Sequence, residues 1–252
     1  MAKIYDALLE EARLDLEAAK ALIKTGHYSQ TLYLVEQCLE KSYKGLYSYL
    51  EITRNKTDDD SINANLMKFG HNNTKMIPQI YHKICKFEDK EIDNIPETTA
   101  EVMRVKRLMK EKLAGLKKSV ENLVGKPPTD QKELLKVYPA KIYAAYNEYK
   151  KFEPFIKQKA SDILKENNLT GTETATQPHA FELFFGISRL LFPCIFLKND
   201  IYRYPFKEYN YENLQILDKD EMRNPCSLLI EMTGRLFTIV PRLMKQGLLA
   251  LA

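Results

Sequence analysis

The chain has 252 residues, 44% hydrophobic and 29% charged, with a formal net charge of +4. That is enough apolar material to bury a core without staples, and so small a positive charge excludes the strongly basic signature of a dedicated duplex-binding domain. Cys38, Cys85, Cys194 and Cys226 stand far apart with no Cys-x-x-Cys pair, which argues against a zinc knuckle or a disulfide framework and for a reducing compartment.

Only 9 glycines occur, and apolar residues recur at spacings of three and four almost throughout, the pattern of an all-helical protein. The opening "MAKIYDALLEEARLDLEAAK" is amphipathic and rich in carboxylates, unlike a signal peptide; a cytoplasmic location is expected. Tyr5, Leu8, Ala12, Leu16, Ala19 and Ile23 form one stripe of a helix over about 3–24. "TGHYS" then turns the chain, with Gly26 suited to the left-handed helix end and Ser29 to an N-cap. A second helix over about 29–50 has Leu32, Val35, Leu39, Tyr43, Leu46 and Leu50 as its core stripe, and so short a connection makes it the antiparallel partner of the first.

On the same helix Gln37, Glu40, Lys41, Lys44 and Ser48 share a polar face. Glu40 precedes Lys44 by four residues, the favourable orientation, and Gln37 is spaced to reach Lys41. Taken by itself this is a solvated face. "RNKTDDDSINAN", residues 54–65, reads as a polar loop, and a third helix is expected over about 74–88.

Residues 88–101 carry six acidic side chains against Lys90, whereas residues 101–118 carry seven basic ones, Arg104, Lys106, Arg107, Lys110, Lys112, Lys117 and Lys118, against two glutamates. The basic run falls on a helix over about 97–124 with a heptad-like seam from Val102 to Leu123. Such cations either keep the helix solvated or bind phosphate in a salt-dependent way; Arg104 and Arg107 are the candidates for the second role. "GKPPTD", residues 125–130, is the clearest break, and it separates expected regions 1–125 and 130–252. Helices over about 131–151 and 154–168 follow, then a threonine-rich loop, an apolar helix over about 179–198 and a last helix over about 221–247 with Leu229, Met232, Leu236, Ile239 and Leu243 inward. "FELFFGISRLLFPCIFL", residues 181–197, is short for a bilayer and interrupted by Glu182, Arg189 and Pro193, so it reads as a core helix and no membrane span is expected.

Motifs for catalysis are missing: no phosphate-binding glycine loop, no Gly-x-Ser-x-Gly and no His-Glu-x-x-His. His82 with Cys85, and His179 with Glu182, have ligand spacing but no second pair, so neither a metal nor another cofactor is expected.

Residues 7–46, "ALLEEARLDLEAAKALIKTGHYSQTLYLVEQCLEKSYKGL", resemble the opening hairpin of the HEPN family (higher eukaryote and prokaryote nucleotide-binding). Ala12, Asp15, Leu16 and Ala19 match its Ala-x-x-Asp-Leu-x-x-Ala core, Gly26 to Tyr28 its Gly-x-Tyr turn, and Gln37, Glu40, Lys41 and Lys44 its second helix; Glu36, Cys38 and Gly45 depart from it. "IYRYPF" resembles the Arg-Tyr-Pro-Asp element of one branch through Arg203, Tyr204 and Pro205, with Phe206 in place of aspartate, and either His179 or His71 fits the histidine-led start that precedes it. If His179 is that histidine, residues 60–170 are largely an insertion.

The resemblance implies an all-α, HEPN-like antiparallel helical bundle elaborated with extra helices, and often a homodimer. Many members are ribonucleases that depend on Arg-x(4–6)-His, in which histidine moves protons and arginine holds phosphate. No histidine here has an arginine four to seven positions upstream. The expectation is therefore a non-catalytic module that binds nucleotide, RNA or a protein partner, in a stress or toxin–antitoxin type of context. A nucleotidyltransferase-type protein is one candidate partner. Gln37, Glu40, Lys41, Lys44, Arg104, Arg107, His179, Arg203 and Tyr204 are its candidate binding residues. The alternatives are a ribonuclease toxin with a rearranged site and a helical interaction scaffold. For Arg203 and Tyr204, capping and packing at the end of a buried helix remain the competing role.

Overall fold

The structure is a computed structural model. It describes residues 3–69, 131–166 and 219–246, with individual positions between 80 and 114, between 184 and 191, and at 217. The fold is all-α, with no strand among the described residues. The continuous helices are α1 (Ile4–Leu22), α2 (Tyr28–Asn55), α3 (Asp59–Phe69), α4 (Gln131–Glu166) and α5 (Arg223–Gln246), with short 3-10 turns at Ile23–Thr25 and Asp220–Met222. The chain forms two compact units, one of Met1–Tyr49 with Pro127–Ala252 and one of Leu50–Lys126.

In the first unit, α1 buries Ala12, Leu16 and Ala19, the middle of the stripe that its period predicts, while Tyr5, Leu8 and Ile23 at its ends are half-buried. The two alanines at zero exposure leave little side chain between backbones. Gly26 ends the turn at φ 81° in the left-handed region, where glycine has no steric penalty. α2 then begins at Tyr28, so Ser29 lies inside its first turn and is not the N-cap that the sequence suggests. α1 and α2 run antiparallel: Tyr5 meets Tyr49 edge-to-face at 5.3 Å, and a Cβ on Gly45 would lie 3.2 Å from Leu9.

Helix α2 is central. Its expected core residues Leu32, Val35, Leu39, Tyr43, Leu46 and Leu50 are all buried, and so are Glu36, Gln37, Glu40, Ser42, Ser48 and Glu51. Of the stripe expected to be solvated, Gln37, Glu40 and Ser48 are buried and Lys41 and Lys44 half-buried, because neighbours cover more than the apolar face. Tyr43 packs against Phe184 at 5.4 Å and donates to Ser188, which brings the helical segment around 184–191 onto α2. Tyr28 donates to Asp220 at 3.0 Å and accepts from Arg223 Nε at 3.1 Å, which fixes the start of α5 beside the start of α2. Helix α5 also packs against α1 and α4. Leu229, Met232, Leu236, Ile239 and Leu243 point inward as their spacing predicts.

Two sequence assignments change. Residues 54–65 are not a loop throughout: Asp58 accepts hydrogen bonds from the Ser61 backbone N–H and hydroxyl, each at 2.9 Å, and so caps α3. Ile62 and Leu66, four apart, bury its apolar side. Residues 131–166 form one helix through Pro139 and Pro154. Pro154 is exposed, and the carbonyl it deprives of a partner belongs to exposed Lys150, a position open to solvent, so the missing bond costs less than it would in a core. Of the helices expected over 74–88, 97–124 and 179–198, the described positions are helical at Ile80, His82 and Lys86, at Val102–Arg104, and at Gly186–Ser188. Further helical positions there are Ala100, Lys106, Arg107, Lys110, Glu111 and Ala114, and Phe184, Leu190 and Leu191, while the seam residues after Val102 lie outside the described residues. Among the described residues no helix is long and apolar enough to cross a membrane.

Leu236 is fully buried and Leu14 is 52% exposed. Leu236→Ala is expected to lower unfolding free energy by about 2–5 kcal/mol, and Leu14→Ala by less than about 0.5 kcal/mol. Denaturant titration of the two variants against the parent measures both.

Candidate functional site

The polar stripe of α2 is an internal ion-pair network. Lys44 Nζ lies 2.7 Å from Glu40 Oε1, the i,i+4 pair that the spacing predicts. Lys41 does not turn to Gln37; it crosses to α1, 2.8 Å from Asp15 and 3.2 Å from Glu11. Asp15 and Lys41 are both residues of the hairpin pattern, so the pattern encodes a contact between two helices. Gln37 is buried, and its side-chain nitrogen has no hydrogen-bond partner. The buried hydroxyls are satisfied locally: Ser42 donates to the Cys38 carbonyl at 2.7 Å and Ser48 to that of Lys44 at 2.8 Å.

Electrostatics follows the geometry. Burial works against the Lys41 ammonium, but the hydrogen bond and charge of Asp15, followed by those of Glu11, outweigh it and raise its pKa above the ordinary 10.5. Burial pushes the Cys38 thiol up to about 12, with the Ser42 hydrogen bond opposing. Burial also raises the Tyr43 hydroxyl, with Ser188 opposing. A buried thiol with so high a pKa has no nucleophilic form near neutrality.

The candidates Arg104 and Arg107 lie in the second unit, both exposed. Arg107 keeps 72% of its side-chain surface open, with Glu111 3.9 Å away. Beside them Lys110 pairs with Asp93 at 2.5 Å and Lys106 with Glu97 at 2.9 Å. The two charged runs are visible in the sequence but their contact is not; opposite signs in adjacent segments are the signal that points to it. His179, Arg203 and Tyr204 lie outside the described residues, as does His71. His82 is exposed, and among the described residues no three metal-ligating side chains cluster.

These features define an all-α module built on an antiparallel hairpin whose motif charges neutralise one another. Residues 5–92 match the model of the HEPN domain, and this part of the chain is a HEPN domain. The match runs through α1, α2 and α3 and on to Ile92. Neither the curated proteins nor the solved structures gave a match.

Lys41→Met leaves Asp15, mostly buried, without its partner, an expected loss of about 1–3 kcal/mol, part of which Asp15→Leu in the same chain restores. A lysine with a raised folded pKa stabilises fully below its unfolded value of 10.5 and loses that contribution as pH rises through the folded value. The stability gap between parent and Lys41→Met therefore stays constant near neutrality and closes above pH 10.5, which melts across pH will measure. Iodoacetamide is expected to label Cys38 only after denaturation, as read by peptide mass mapping.

Proposed function

We propose that this chain is a HEPN-type module that binds RNA or a nucleotide as a homodimer and does not cleave RNA. The observation that carries the reading is the division of its charges. In the hairpin Lys41 and Lys44 are engaged by Asp15, Glu11 and Glu40, whereas Arg104 and Arg107 in the second unit are exposed. Cations already held by carboxylates have little left for phosphate; open arginines retain their bidentate fork. The sequence adds that no Arg-x(4–6)-His exists to transfer a proton beside a held phosphate. A stress or toxin–antitoxin setting, with a nucleotidyltransferase-type protein as partner, is compatible with a module that sequesters its ligand. On this reading the hairpin stripe of Gln37, Glu40, Lys41 and Lys44 holds α1 and α2 together, and phosphate falls to the arginines.

Light scattering is expected to give twice the chain mass. Titration of labelled RNA should give affinity that falls with salt, with a log–log slope of about 0.7 for each phosphate that the protein neutralises. Arg104→Ala with Arg107→Ala should therefore flatten the slope by about 1.4. A monomer without salt-sensitive binding would sink the proposal. Growth arrest and RNA cleavage on overexpression, abolished in His71→Ala or His179→Ala, would replace it with the ribonuclease reading.

A further inference from the structure

Residues 88–101 and 101–118 have opposite charge, and in the second unit they close on each other. Lys110 Nζ lies 2.5 Å from Asp93 Oδ1. Lys106 Nζ donates to Glu97 Oε1 at 2.9 Å and to the Asp93 carbonyl at 3.2 Å. Asp89 adds its charge to the field at Lys110. The turn between the segments is built to hold this approach: Thr98 N–H donates to the Pro96 carbonyl at 2.9 Å, and the Thr99 hydroxyl accepts from Val102 N–H at 3.2 Å, capping the basic helix.

At 3.6 residues per turn, Lys106, Lys110, Arg107 and Arg104 succeed one another around one side of that helix, an arc of about 160°. The carboxylates cover one edge of this arc, and the arginines at the other edge stay exposed. The side chains in the clasp are themselves open, Asp93 at 58%, Lys110 at 47% and Glu97 at 54% of their surface, with Lys106 tucked in at 13%. Ion pairs this exposed are weak and screened by salt. They are interactions that another anion can displace.

We propose that Asp93 and Glu97 act as an internal competitor for the basic helix, holding Lys106 and Lys110 in the free chain and yielding them to the phosphates of bound RNA. The inference rests on the reading of Arg104 and Arg107 as the open part of an RNA-binding surface. A carboxylate presents to an ammonium the same acceptor oxygens as a phosphate, so the exchange replaces one charge-assisted hydrogen bond with another. Only the retained counterions change. RNA that reaches the arginines therefore meets two further cations at little cost, and the module binds weakly until a polyanion long enough to cover the whole arc arrives.

The test is a titration of short labelled single-stranded RNA against the full chain and its Asp93→Asn/Glu97→Gln variant at several salt concentrations. Neutralising the carboxylates is expected to raise affinity about tenfold at low salt and to steepen the log–log slope by about 1.4, two lysines at about 0.7 each. Adding Lys106→Gln and Lys110→Gln should return both to the parent values. Equal affinity and slope in parent and carboxylate variant would overturn the competitor while leaving RNA binding intact. Absence of binding in every chain would overturn both readings. Because the substitutions keep side-chain size on an exposed surface, reduced helicity in the variant would mean that the clasp is structural glue, and would also overturn the proposal.

Discussion

The structure depends on one constraint: α2 passes through the centre of its unit carrying charged and hydroxyl side chains on its buried faces. Removing such groups from water is unfavourable unless each finds a partner. The Lys41 ammonium between Asp15 and Glu11 meets that requirement across the hairpin. Lys44 meets it along the helix through Glu40, and Ser42 and Ser48 meet it through carbonyls of their own helix. Tyr28 and Tyr43 carry their hydroxyls to Asp220 and Ser188. Apolar packing is non-directional and would tolerate several registers of α1 on α2; these bonds tolerate one.

That constraint also reassigns the family-specific residues. Asp15, Glu40, Lys41 and Lys44 are charged groups within a motif, the usual look of a binding site. In the fold they face one another, and their charges cancel over a few ångströms. On the proposed function, ligand chemistry falls to the exposed arginines of the second unit. There the same physics operates at the surface, where solvent and salt weaken each pair. A buried pair fixes architecture; an exposed one is available for exchange. The two units contain both kinds, from similar residues.

Much of the fold is legible in the sequence because period is local. The inward stripe of α1, the glycine turn at Gly26 and the inward residues of α5 follow from spacing alone. Helix α3 is hidden in the sequence because its run of polar residues outweighs the Asp58 cap and the Ile62, Leu66 pair. The break expected near Pro154 is absent; the proline is exposed, as is Lys150, whose carbonyl it deprives of a partner, so the helix continues without an orphaned group in a core.

By itself the sequence determined that the chain is helical, that α1 and α2 form a hairpin of this family and which residues of α5 turn inward, since a helical period is local. It also determined that the ribonuclease motif is absent. Only the tertiary structure decided that the polar face of α2 is buried, that Lys41 belongs to Asp15 and Glu11 instead of Gln37, and that the acidic segment covers one edge of the basic helix. A helical period states which side chains share a face, but burial and pairing depend on which neighbour that face meets.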